Sequence, residues 1–254
     1  DQMMWSPDNQ WVAASVQDTE NYTSHIVLIN PNSGERRHLD SAVGQMQYPL
    51  GWLSATELLA LAAKHEPIIE GDMRKQNVSE VSMYRVDLQN NQWVELGQNM
   101  DWTAHDEVVL SPDKMSLAYT TRDRGRLLVI MRADGASEKV LGAHGVMPAW
   151  APNGEWIATI WPVGGGEVQV NIVHPDGTAP RNVFQGQGDF AMAVWLPGSA
   201  HLLIQTFEEI HGSETNALYL VSVEEQNFRP VAIPGFETGA YFISGISVRP
   251  MGHP

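Results

Sequence analysis

The chain contains no cysteine. That excludes disulfide staples, Cys-based zinc sites and thiol catalysis, and it fits a cytosolic protein and a bacterial exported one equally. Positive charge is scarce, with 15 Lys+Arg against 30 Asp+Glu, a net charge of -15 and no Lys/Arg-rich run. Phosphate backbones are bound by neutralising them with Lys and Arg, so no nucleic-acid partner is expected, and an anionic membrane surface is disfavoured for the same reason. No apolar run approaches the roughly 18 residues of a membrane span, and no charged-then-apolar leader opens the sequence. Membrane insertion is therefore not expected. The chain opens at Asp1 inside a repeat, which reads as a mature or excised segment.

Several catalytic signatures are missing as well. There is no Gly-x-Ser-x-Gly elbow, no His-Glu-x-x-His pair and no phosphate-loop Lys, so hydrolase and nucleotidase chemistry lacks a nucleophile or a metal. The segment from Gly186 to Ala191 satisfies the loose dinucleotide pattern. It follows one strand-like run and precedes another, so the helix dipole that would hold a pyrophosphate is absent. Asn21-Tyr22-Thr23 and Asn77-Val78-Ser79 match the N-glycosylation triplet, which arises by chance about this often.

What the sequence does contain is an internal repeat. Trp150-Ala151-Pro152-Asn153-Gly154-Glu155-Trp156-Ile157-Ala158 recurs as Trp5-Ser6-Pro7-Asp8-Asn9-Gln10-Trp11-Val12-Ala13, as Leu110-Ser111-Pro112-Asp113 and as Trp195-Leu196-Pro197-Gly198. Each copy is an apolar run ending in Trp or Leu, a Pro-containing turn, then a second apolar run. Two strands joined by a tight turn follow from that pattern. A second hairpin trails each first one, as in His25–Ile29 with Arg36–Leu39, or Val168–Val173 with Arg181–Phe184. Four short strands per repeat is the unit. No apolar segment of helical period and length competes with it.

Trp5, Trp52, Leu110, Trp150, Trp195 and Val248 lie roughly 40 to 58 residues apart, the blade-length period of a propeller. The boundaries fall near 1–42, 43–100, 101–142, 143–186 and 187–236, with a partial copy over 237–254. The expected fold is one all-β propeller domain over 1–254. A six-bladed arrangement with an incomplete last blade is favoured, and a five-bladed ring is the alternative. The second repeat lacks the turn Pro, and a polar insert from Lys64 to Glu80 displaces its second hairpin. That insert reads as a mobile loop or a partner-docking or lid segment.

The Trp-Ser-Pro-Asp-x-x-x-x-Ala pattern resembles the repeat of TolB-like propellers, also called PD40 or WD40-like repeats. The Trp5, Leu110 and Trp150 copies match closely, Trp195 keeps only the Pro, and Trp52 keeps only the hydrophobic pattern. The resemblance implies a binding surface rather than one chemistry, since such propellers occur in periplasmic scaffolds, in lids of prolyl-oligopeptidase-like peptidases and in some polysaccharide lyases.

In a propeller, the segment entering each innermost strand lines one mouth of the channel. Counting back from each Trp or Leu selects Met46 and Gln47, His105 and Asp106, His144, Asp189 and Phe242. Gln47, His105, Asp106, His144 and Asp189 are the candidate ligand-binding residues, for a protein partner or a small polar ligand. Two His and two Asp converging there could ligate a divalent metal, with His105, His144 and Asp189 as the candidate set, but no metal, cofactor or catalytic residue is assigned. The plainer reading is that all of them are solvated loop residues. Trp5, Trp52, Trp150 and Trp195 recur in register and read as inter-blade core. Trp93, Trp102, Trp156 and Trp161 do not, and are candidate rim anchors for proteins or sugars if they are not core. Asp8 and Asp113 read as turn caps rather than calcium ligands. The function expected is a non-enzymatic binding or scaffold module of an exported bacterial protein. The alternatives are the gating propeller of a serine peptidase and a metal-assisted lyase.

Overall fold

The computed structural model describes residues 3–18, 23–39, 44, 46–70, 73–97, 108–121, 125–210, 213–225 and 227–231. Every regular element among them is a β-strand. No helix among the described residues is long and apolar enough to cross a membrane. The strands fall into five consecutive groups of four, matching the five repeats.

The first group is β1 (Met3–Trp5), β2 (Val12–Asp18), β3 (Thr23–Ile29) and β4 (Arg36–His38), and the second is β5 (Met46–Trp52), β6 (Glu57–Glu70), β7 (Met73–Asp87) and β8 (Gln92–Gly97). One parallel bridge, Ser24 with Met46, links these two blades into an eight-stranded sheet. The third blade is β9 (Val109–Leu110), β10 (Ser116–Thr120), β11 (Leu127–Arg132) and β12 (Lys139–His144). The fourth is β13 (Val146–Trp150), β14 (Ile157–Pro162), β15 (Glu167–Val173) and β16 (Arg181–Gln187). The fifth is β17 (Phe190–Trp195), β18 (His201–Ile210), β19 (Ser213–Ser222) and β20 (Asn227–Pro230). Within each blade the strands pair antiparallel in chain order. The chain divides into two compact units, Asp1–Asp106 with Arg132–Glu138, and Glu107–Met131 with Lys139–Pro254.

The turn after the first strand shows why the motif has its residues. Pro fixes one φ, and two positions later the backbone turns left-handed at Asn9 (φ 57°), Lys114 (63°), Gly154 (75°) and Ser199 (58°). In the first blade the Ser6 hydroxyl donates to Asp8 Oδ1 at 2.6 Å and accepts the Trp11 amide at 2.9 Å, while Asp8 Oδ1 also accepts the Gln10 amide at 3.1 Å. Ser111, Asp113, Met115 and Ser116 repeat this in the third blade. Asp8 and Asp113 are thus turn caps, and the hydroxyl donors, followed by the amides, hold both carboxyls below their usual range.

Side chains along the middle strands alternate between two neighbouring blades, as a period of two requires. In the second unit Ile157 packs with Ala118, Leu128 and Ile130 of the third blade, and Ala158 and Ile160 pack with Leu202 and Ile204 of the fifth. The first unit has its own core around Ile26, Leu28, Trp52, Leu58 and Val86. Each fully buried Leu or Ile contributes about 1.5–3 kcal/mol.

The repeat tryptophans mostly behave as expected. Trp52 and Trp195 are buried and Trp150 is half-buried. Each donates its indole N–H to the carbonyl one residue before the equivalent position of the preceding blade: Trp52 to Met4 at 3.0 Å, Trp150 to Val109 at 3.3 Å and Trp195 to Ala149 at 3.0 Å. Trp5 departs from the expectation, being 58% exposed. It stands on the first blade, which has no earlier blade among the described residues to receive the indole.

The insert in the second repeat also differs from its reading as a loop. β6 and β7 run through it as one antiparallel ribbon paired out to Glu70 with Met73, with an irregularity between Ala62 and Lys64 where the ribbon leaves the sheet. In the fifth blade β18 and β19 extend similarly, to Ile210 paired with Ser213.

Candidate site at the blade junctions

The first strand of each blade runs away from one end of the sheet and the second returns to it. That end therefore holds both the entry to each blade and the hairpin between its second and third strands. Glycine closes the entry three times. Gly44, Gly145 and Gly188 have φ of +156°, +157° and +152°. A Cβ there would lie 2.7 Å from the Ala63 carbonyl oxygen, 2.5 Å from Thr159 Cβ and 3.1 Å from the Phe207 carbonyl oxygen, respectively. Each glycine thus lets the junction press on the second strand of the blade it enters. Sequence reading missed this element, although Gly44-Gln45-Met46, Gly145-Val146-Met147 and Gly188-Asp189-Phe190 carry it.

His144 is the last residue of β12 and is exposed. Its Nδ1 lies 2.9 Å from the Gly125 carbonyl. A carbonyl only accepts, so Nδ1 carries the proton in this contact and Nε2 is the ring nitrogen left to face outward. The ring tilts against Trp161, with centroids 5.5 Å apart, and the His144 carbonyl accepts the Thr159 hydroxyl at 3.2 Å. The next amide, Gly145, donates to Arg126 at 2.9 Å.

Asp189 occupies the corresponding junction of the fifth blade. Its side chain is exposed and its amide donates to the Phe207 carbonyl at 2.7 Å, while Gly188 donates to Gly166 at 2.8 Å. Phe190 beside it is 39% exposed, its ring 6.0 Å from that of Phe207.

Gln47 lies in the first unit and is only 1% exposed. Its amide donates to the Ser24 hydroxyl at 2.9 Å and its carbonyl accepts from Ser15 at 3.0 Å, so two serines of the first blade pin the second. The side-chain Nε2 donates to Gly44 at 3.3 Å, and Oε1 has no partner. Met46 is buried beside it. His105, Asp106, Trp102 and Phe242 lie outside the described residues. Among the described residues no group of three or more His, Asp or Glu side chains is close enough to share a metal ion.

The non-recurring tryptophans have separate surroundings. Trp156 stacks on His174 at 3.7 Å with the Arg181 guanidinium 4.6 Å from its ring, and His174 Nδ1 lies 2.7 Å from the Glu155 carbonyl. Trp11 carries Arg37 at 4.5 Å. An Arg from the outermost strand thus caps the Trp beside the turn in two blades, and Trp156 is held rather than offered to a partner. Trp93 meets Tyr84 edge-on at 5.7 Å. Trp161 is half-buried at the mouth end of β14.

Comparison with solved structures places the fold. TolB from Acinetobacter baumannii is 18% identical with a TM-score of 0.57, over 94% of this chain and 56% of that one. An oligogalacturonate lyase in complex with manganese is 14% identical with a TM-score of 0.62, over 91% of this chain and 64% of that one. A prolyl endopeptidase is 18% identical with a TM-score of 0.65, over 94% of this chain and 36% of that one. No family model matches, and no curated protein does. The fold is a β-propeller of the TolB-like type, built from four-stranded blades. The chain spans about half to two thirds of the TolB and lyase structures it resembles.

Proposed function

We propose that the chain is a non-enzymatic binding or scaffold propeller of an exported bacterial protein, which engages a protein or a small polar ligand through the junction end of its blades. The observation that carries this reading is the contrast between the recurring, internally hydrogen-bonded turn-and-tryptophan framework and the exposed, non-recurring His144, Asp189 and Phe190 at glycine-locked junctions. Rigid strands holding variable, exposed ends is the arrangement binding surfaces use. Gln47, with its side chain buried, is left out of that surface, and His105 and Asp106 lie outside the described residues. The test compares the wild-type chain with a His144→Ala/Asp189→Ala double variant in affinity capture from a periplasmic extract. A specific prey lost by the variant, with unchanged melting, is the expected result. Prey retained equally by both, or peptide or polysaccharide cleavage by the purified chain, would overturn the proposal.

The TM-score of 0.65 to the prolyl endopeptidase favours a second reading, a substrate-gating propeller whose catalytic domain lies outside this chain. Adjacent coding sequence with a Gly-x-Ser-x-Gly elbow in an α/β pattern supports it, and its absence removes it. A metal-assisted lyase would need a divalent ion on His144, Asp189 and His105. Elemental analysis after equilibration with manganese, compared with His144→Ala, decides that point.

A further inference from the structure

Four residues beyond the cross-strand partner of the repeat Trp or Leu stand Val16, Ala62, Thr121 and Thr206 in four blades, and Trp161 in the fourth. Packing is satisfied by a small or β-branched residue at this position, so the large aromatic is an addition that the framework does not require. Its surroundings are equally distinctive. Trp161 pairs across the sheet with Gln169, and Gln169 with Gln185, so the three stand in one row on one face. Glu167 and Gln187 form the next row toward the mouth on the same face.

These polar groups make one continuous ladder. Gln169 Nε2 donates to Gln185 Oε1 at 3.3 Å, and Gln185 Nε2 donates to Glu167 Oε2 at 3.1 Å. Gln187 Nε2 donates to Glu167 Oε1 at 3.5 Å. Gln185 and Gln187 are exposed and Gln169 and Glu167 are half-buried. Each carboxamide keeps a second N–H and a further lone pair for a ligand. The loop that follows Trp161 is open: a Cβ added at Gly164, Gly165 or Gly166 would meet nothing within 4 Å. His144 props the indole from one side.

We propose that the end of this face of the fourth blade, past the part where Ile157 packs on the third blade, is a binding site for a neutral oligosaccharide, with Trp161 as the stacking platform and Gln169, Gln185 and Gln187 as the hydroxyl-reading groups. It names the ligand class for the binding module described above, and rests on that reading. The apolar C–H face of a pyranose covers an indole, and sugar hydroxyls both donate and accept, as carboxamides do. Charge selects among sugars. No Lys or Arg stands in either row, Glu167 already holds two amides and the chain carries a net charge of -15, so a uronate would be repelled and a neutral sugar would not.

The test is titration of the full chain with maltohexaose, cellohexaose, hexagalacturonate and a proline-rich peptide, read by the indole N–H signals in 15N correlation spectra and by calorimetry. Saturable binding of a neutral hexaose that shifts the Trp161 indole is expected. Trp161→Thr installs the residue type of the third and fifth blades and so preserves folding. It should weaken binding at least about tenfold, and Gln185→Ala about fivefold. Failure of both neutral probes, unchanged binding by Trp161→Thr, tighter binding of hexagalacturonate, or binding of the peptide alone would each overturn the assignment. If sugar binding fails while prey capture still depends on His144 and Asp189, the sugar site falls and the binding-module reading stands. If a neutral sugar binds but prey capture is indifferent to those residues, the reverse holds.

Discussion

Replacing each repeat tryptophan by phenylalanine tests how the blades are wedged together. The substitution removes the indole N–H and about 40 Å² of apolar surface, worth about 1 kcal/mol for the hydrogen bond and about 1 kcal/mol for the area. Trp52 and Trp195 are 5% and 6% exposed and both donate at 3.0 Å, so Trp52→Phe and Trp195→Phe should each lose about 2 kcal/mol or slightly more. Trp150 is only half-buried and donates at 3.3 Å, so its variant should lose about 1 kcal/mol. Trp5 is 58% exposed, and Trp5→Phe should stay within about 0.5 kcal/mol of wild type. Urea unfolding followed by far-UV circular dichroism gives the four values. Equal losses for Trp5→Phe and Trp52→Phe would refute the reasoning, because they would show Trp5 packed in solution. Losses below about 0.5 kcal/mol for Trp52→Phe would refute it from the other side.

Gly145→Ala places a Cβ 2.5 Å from Thr159 Cβ and should cost about 3 kcal/mol, while Gly154→Ala, in open space at φ +75°, should cost about 1 kcal/mol; thermal melting of the two variants checks the difference. Acid should destabilise the chain through its turn carboxylates. The pKa of Asp8, Asp113 and Asp176 is lowered chiefly by Ser6, Ser111 and Thr178 hydroxyls, and that of Asp134 to about 2 by its hydrogen bond to Arg132. Folded values below the unfolded one mean the stabilisation is complete above about pH 4 and is lost as pH falls toward those folded values. An Asp8→Asn/Asp113→Asn/Asp134→Asn variant should therefore show a flatter loss of melting temperature between about pH 4 and pH 2, and an identical slope would contradict this. Joining Ala63 to Val81 through a two-residue turn removes residues 64–80, and should leave the far-UV spectrum of the sheet unchanged because Leu58–Ala62 and Met83–Val86 keep their core contacts.

The strands and turns were legible because their causes are local. Pro at one position, an acid or amide next and a left-handed residue after it identify the turn at Ser6–Asn9 without knowledge of any neighbour. The junction glycines were not legible for the opposite reason. Gly145 is required by Thr159 fourteen residues on and Gly44 by Ala63, contacts that exist only once the second strand has returned. Gln47 illustrates the same limit. A polar residue counted back to the channel mouth looks solvated, yet Ser15 and Ser24 hold its backbone and its side chain is buried. Trp5 shows where register misleads: it is equivalent to Trp52 by sequence but not by environment, since burial of this residue is supplied by the preceding blade. The strands of the insert were not legible because charged residues and Pro67 mask a ribbon whose cause is the continuation of two already paired strands.

A repeat protein divides its sequence into positions that packing dictates in every blade and positions that packing leaves free. Recurrence identifies the first kind, and in this chain it accounts for the capped turns, for the wedged tryptophans and, once the fold is known, for the junction glycines. Function must then be sought where one blade departs from the others at a position with room to depart. His144 and Asp189 meet that criterion at the junctions. Trp161 meets it more fully, because four other blades show what the fold requires there and none of them uses an aromatic ring. Trp156 fails it despite its isolation, since Arg181 and His174 both lie against its ring and Trp11 repeats the arrangement with Arg37. Both rings carry an imidazole, His174 on Trp156 and His144 on Trp161; the difference is the Arg181 guanidinium that covers the one and the row of amides that stands beside the other.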